Sequence, residues 1–217
     1  MELLAYFDLD TLLFRAVAFM LAITLHDVWL SVFALLLGDR TAREQGRVHG
    51  NPGRHLDPLG SLMVLFGPYG WSRPVTLSPK PLEKSSRFML ILWALSGPLL
   101  HLVLSLLFGW LFLELPLDGP LGAGGGWAGA LLKGILHYCY IVNVLLFLLN
   151  LLPLYPLDGW KLLRHLASGR MAAFLDKYEK WSLLVLMALL MLPFGRHWLE
   201  MLFQQVNHWL MAVYSVG

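Results

Sequence analysis

The 217-residue sequence predicts an all-α polytopic membrane protein, with about four transmembrane helices, a re-entrant hairpin or short strands, and a C-terminal amphipathic helix. Three observations carry that expectation. Hydrophobic residues make up 58% of the chain and charged residues only 14%, where globular proteins run at about a quarter charged. The apolar residues fall in long runs, as bilayer crossings require, rather than being scattered around one core. Lysine and arginine collect in two of the intervening loops: eight between residues 38 and 87, five between 151 and 180, and none between 114 and 128.

The first apolar run, Leu12 to Leu37, is interrupted only by Arg15 and the pair His26-Asp27. At about 1.5 Å per residue it exceeds the ~30 Å hydrocarbon core. Gly38 to Asp57 is polar and basic. Pro58 to Trp71 is apolar but short and glycine-containing, so it cannot cross as a helix; re-entrant backbone buried against protein satisfies it. Pro74, Pro79 and Pro81 break the polar stretch from Ser72 to Arg87. Phe88 to Leu113 is the second span, bent where Pro98 removes a backbone donor, with His101 one turn later. The segment Glu114 to Ala128, with Gly124-Gly125-Gly126, reads as a flexible loop.

Gly129 to Leu152 is the third span and contains Asn143 and Asn150, placed to bond between helices. A turn from Pro153 to Gly159 leads into a mixed helix, Trp160 to Lys180. Trp181 to Phe194 is a short fourth span. In Arg196 to Tyr214, Trp198, Leu202, Val206 and Leu210 recur at helical spacing opposite polar residues, as in an interfacial amphipathic helix. Residues 1–217 form one membrane domain, with a core from about 12 to 165 and C-terminal helices over 166–217. The acidic N-terminus has no signal-peptide character. Cys139 alone allows no disulfide framework. Basic residues gathered mainly in loops between apolar runs give no basis for nucleic-acid binding. The lysine and arginine asymmetry places both basic loops in the cytoplasm and the N-terminus outside.

The chemistry-bearing stretch is Leu25-His26-Asp27-Val28-Trp29-Leu30. Ionisable groups inside a membrane helix mark functional candidates. The stretch resembles an H-E-x-x-H zinc motif with its second and last letters changed. In that motif, histidines at i and i+4 share a helix face and hold the metal, while the glutamate activates water.

The chain as a whole resembles the site-2 protease family of intramembrane zinc metalloproteases, in its compact prokaryotic form. The resemblance rests on ordered stretches: Gly38-Asp39, Gly46-Arg47, Asn51-Pro52, His55-Leu56-Asp57-Pro58-Leu59-Gly60, Arg73-Pro74-Val75, Ser96-Gly97-Pro98, Asn150-Leu151-Leu152-Pro153 and Pro156-Leu157-Asp158-Gly159. It implies zinc as cofactor, with His26 and Asp158 as ligands. It also implies Asp27 at the position of the general-base glutamate and Leu30 where the second histidine ligand stands. His101, where the family has asparagine, is a candidate substitute ligand; Asn150 and His55 are candidates for binding substrate.

The losses at two positions point to a catalytically impaired or inactive relative that binds transmembrane segments of partner proteins without cleaving them. A zinc endopeptidase rebuilt on His26, Asp158 and His101 is the first alternative. A small ion- or proton-conducting protein using His26, Asp27 and His101 is the second. The expected setting is a prokaryotic cytoplasmic membrane, with the bilayer and a membrane protein's transmembrane segment as partners.

Overall fold

The computed structural model describes residues 9–78, 85–115 and 127–214. Most of the expected glycine-rich loop from Glu114 to Ala128 lies outside the described residues. Helix α1 (Leu9–Leu36) is the first span. It ends because Gly38, at φ +87°, turns the chain into the left-handed region. There the Gly38 amide donates to Leu35 and the Asp39 amide to Ala34, which satisfies the last carbonyls of the helix. The short helix α2 (Thr41–Glu44) follows, with Asp39 accepting from the amides of Thr41 and Ser78 at 2.9 and 2.6 Å.

The apolar segment after residue 57 does return on itself. Asp57 caps α3 (Pro58–Leu62): its Oδ1 accepts from the Gly60 amide at 2.9 Å and from the Trp71 indole at 3.0 Å. A 3-10 turn, Met63–Leu65, continues the segment. The return is closed by a single antiparallel bridge between Leu56 and Ser72 and by the Arg73 amide donating to His55. Thus helical turns and one bridge serve where the sequence suggested a hairpin or short strands. Gly60 makes the closure possible, because a Cβ there would run into the Trp71 carbonyl.

Helix α4 (Arg87–Glu114) is capped by Ser86 and runs through Pro98 to Glu114. Helix α5 (Trp127–Asn150) packs along it more extensively than any other pair of elements, and α1 packs on both. Tight turns after Asn150, including a cis Tyr155–Pro156 bond, deliver α6 (Asp158–Leu166). The chain then breaks at Ala167 and Ser168, both extended, and enters α7 (Gly169–Met191). The sequence reading put one helix through 167 and a boundary near Trp181. The observed helix passes Trp181 because the change there from polar to apolar includes no glycine or proline to stop it. Helix α8 (Pro193–Tyr214) leaves α7 at 76°.

Among the described residues, α1, α4 and α5 are long and apolar enough to cross a bilayer, with α7 and α8 together a candidate fourth, bent span. Their outward faces are apolar: Leu36, Phe88, Val103, Trp110 and Trp127 are all more than half exposed. Inside, Trp71 and Tyr69 of the re-entrant segment pack with Leu145, Leu149, Leu186 and Leu190 of α5 and α7. This core ties the loop between α1 and α4 to the C-terminal half.

Gly60→Val should therefore lower stability by about 1–3 kcal/mol through forced overpacking. Gly50→Val, where nothing stands within 4 Å, should stay within about 0.5 kcal/mol. Thermal unfolding of the two purified variants in one detergent measures the difference.

Candidate active site

His26 and Asp27 lie in the middle of α1, 4% and 1% exposed. Consecutive residues on a helix point about 100° apart, yet both side chains enter one cluster because His26 bridges two carboxylates. Its Nδ1 meets Asp27 Oδ1 at 2.9 Å and its Nε2 meets Asp158 Oδ2 at 2.6 Å. Both partners accept, so the ring holds both bonds only as an imidazolium with a proton on each nitrogen. Asp158 reaches the pair from the first turn of α6. Gly97 of α4 lets it do so, since a Cβ there would strike both the Asp158 carboxylate and the His26 ring.

Around Asp27 the donors come from the loop between α1 and α4. Arg47 Nη2 donates to Oδ2 at 2.5 Å and also to the Arg73 carbonyl at 2.6 Å. His55 Nδ1 lies 3.2 Å from the same oxygen, while its Nε2 is 3.0 Å from the His49 carbonyl. Ser72 Oγ donates to Oδ1 at 2.8 Å. With His26, four donors share the two oxygens. A carboxylate offers about four lone-pair sites, so Asp27 has none left over for a water.

Asp158 is similarly engaged. Its Oδ1 accepts from Lys161 Nζ at 2.6 Å, one turn along α6, and its backbone amide donates to Asn150 Oδ1 at 3.3 Å. Burial would raise its pKa, but Lys161 and His26 hold it down to about 2. Asn150 is thus occupied with the start of α6 and with the Leu146 carbonyl. His101 stacks on His26, ring centroids 4.8 Å apart and planes 10° apart, with its Nδ1 2.9 Å from Asn143 Oδ1. Leu30 is fully buried with Ala42, Val75, Trp93 and Ala94. The Trp93 indole donates to the Leu30 carbonyl at 3.0 Å.

All the residues named from the sequence therefore converge: His26, Asp27, His55, His101, Asn150 and Asp158. The sequence reading missed Arg47, Ser72 and Lys161 as members of the cluster. Lys161 had a local signal, since a basic residue three positions after an acid on a helix can pair with it. Arg47 and Ser72 had none, because only tertiary folding brings them to Asp27.

These residues do not fit a zinc ion. A metal bridging His26 and Asp158 needs ligand bonds of about 2.0 Å to each, whereas nitrogen and oxygen here bond directly at 2.6 Å. No lone pair remains on His26, Leu30 offers no donor, and Lys161 covers the other Asp158 oxygen. The space beside the pair measures about 10 Å³, no more than the ~10–15 Å³ that one water occupies. Among the described residues no group of three or more His, Cys, Asp or Glu is disposed to hold a metal.

Two outcomes follow. Arg47→Met leaves a buried carboxylate short of its cation and should cost about 3–5 kcal/mol. The double variant Arg47→Met/Asp27→Leu should cost less than the sum of the singles, read from a double-mutant cycle of unfolding free energies. On α6, burial and then Arg164 and Lys161 push His165 from 6.5 down to about 4. The unfolded chain takes up the proton first, so stability falls as pH drops from about 6.5 to 4. His165→Gln should flatten that limb of the melting temperature against pH.

The family model for "Peptidase family M50" matches residues 118–193. The chain is also 30% identical over 200 residues to the "Putative zinc metalloprotease YwhC" of Bacillus subtilis (strain 168). That alignment covers 91% of this chain and 89% of the relative. No solved structure matches. The ordered motifs, the buried His26–Asp158 pair between α1 and α6, and this identity along nearly the whole length make the chain a member of the M50 or site-2 protease family.

Proposed function

We propose that the protein is a catalytically silent member of its family, one that receives a transmembrane segment of a partner protein and does not cleave it. The observation that carries this reading is the saturation of Asp27. In a metalloprotease the residue at this position must take a proton from water. Here both its oxygens are held by Arg47, His55, Ser72 and His26. The direct His26–Asp158 bond and the apolar burial of Leu30 support the same reading.

The spans and the family likeness remain those of a protein built to work on chains within the bilayer. Cleaving a membrane helix requires unwinding it, because its backbone bonds are internal. Holding or shielding that helix does not. On the lysine and arginine distribution, the N-terminus lies outside and the loops at 38–87 and 151–180 lie in the cytoplasm.

The alternative of a zinc site rebuilt with His101 draws on one observation, its ring stacked against His26. Metal analysis separates the two readings. The purified protein should carry less than about 0.1 zinc per chain, below what a three-ligand site retains. The variant Asp27→Glu/Leu30→His/His101→Asn should gain zinc. Near-stoichiometric zinc in the unaltered protein, lost in His101→Ala, would establish the rebuilt site. Chelator-sensitive hydrolysis of a membrane-segment peptide would sink the silent reading outright.

A further inference from the structure

Next to the buried cluster, and separated from it by Lys161, Pro74 and Pro156, lies an open cavity of about 480 Å³. That volume is within the ~300–1,000 Å³ of small-ligand pockets. Neither the site chemistry nor the membrane packing uses it. Three aromatic side chains line it: Trp93 from α4, Tyr155 from the turn before α6, and Trp160 from α6. Tyr155 and Trp160 meet edge to face at 79°, centroids 6.4 Å apart. The face of Trp93 already accepts an ammonium, with Lys161 Nζ 5.4 Å from its centroid.

The charges lining the cavity decide what it takes. Lys161 is engaged by Asp158, and Arg164 by both oxygens of Asp176 at 2.6 and 2.8 Å. His165, lowered to about 4, is neutral at physiological pH. Of the charged residues lining the cavity, only Glu179 on α7 has no ion pair among the described residues; its carboxylate meets the Trp160 indole and is drawn by Arg164. Aromatic walls with one carboxylate outside any ion pair suit an aliphatic cation, since ring faces attract ammonium groups.

We propose that this cavity receives the side chain of a lysine flanking the partner's transmembrane segment, an inference that rests on the function proposed above. The cavity is built from Pro74–Leu77, Tyr155–His165 and the polar start of α7, so it opens on the side of this chain's own basic loops. Membrane proteins in general carry an excess of lysine and arginine beside their spans on that same side. A cation is therefore the group that a partner's flanking segment most often presents there.

The test uses n-butylammonium, a lysine side chain without its backbone, and the purified protein in detergent, with binding read by saturation-transfer NMR. Saturable binding is expected, absent for n-butanol, and at least about fivefold weaker in Glu179→Gln and in Tyr155→Leu, with partial recovery in Glu179→Asp. Equal binding of butanol, or full binding by Glu179→Gln, overturns the inference. A second arm uses a leucine-rich single-span peptide in nanodiscs, flanked by lysine or by glutamine. Preference for lysine that is lost in Glu179→Gln supports it. Equal binding of both peptides overturns the lysine pocket and leaves the function standing. Binding of neither overturns both.

Discussion

A buried carboxylate in the middle of a membrane helix is the constraint from which the rest of the site follows. Taking Asp27 out of water costs several kcal/mol unless its oxygens are paired. Its donors come from three places far apart in sequence: Arg47, His55 and Ser72, beside its neighbour His26. The loop between α1 and α4 must fold back against the helix to supply them. Asp57 capping α3, the Leu56–Ser72 bridge and the Gly60–Trp71 contact are the local means by which it does so. His26 carries the constraint onward, because the ring that binds Asp27 also binds Asp158 and so anchors α6 to α1.

The charges in the cluster explain how its buried side chains hold one another. Two carboxylates, Asp27 and Asp158, face two permanent cations, Arg47 and Lys161, with the His26 imidazolium between them. A divalent metal would supply two of these three positive charges from one point. Here the charge is spread over side chains from the loop after α2 and from α6. Leu30 is consistent with that arrangement. A histidine at that position would need a polar partner, and the pocket of Ala42, Val75, Trp93 and Ala94 supplies apolar contact. The substitutions at positions 27 and 30 thus belong to one electrostatic solution.

Much of this was legible in the sequence, and the exceptions share a cause. The spans, the turn at Pro153–Gly159 and the meeting of His26, Asp158 and His101 follow from hydropathy and from motif order. Asn143 was placed between helices, and it bonds His101 across α4 and α5. Arg47 and Ser72 were not legible, since neither lies near Asp27 in sequence and no periodicity links them. The break at Ala167–Ser168 was also hidden. Neither residue is a strong helix stop, and the chain turns there because Arg87 holds the end of α6, donating to the carbonyls of His165 and Leu166. The Asn150 side chain accepts from the Asp158 amide and donates to the Leu146 carbonyl, contacts that motif position alone does not reveal.

On the function proposed above, the cluster and the neighbouring cavity divide two tasks. Lys161, Pro74 and Pro156 line both spaces, so a single wall separates the sealed ion pairs from the open chamber. In a cleaving enzyme that wall would have to admit a peptide and a water to the reacting centre. Here the ammonium of Lys161 is fixed on Asp158, and the space behind it holds at most one water. The chamber in front retains its aromatic faces and Glu179. On that proposal, recognition and hydrolysis draw on largely different residues of the fold, so that the second can be lost while the first is kept. In the proposed function, the ion pairing behind the wall preorganises the surface, which then loses less entropy when a partner docks.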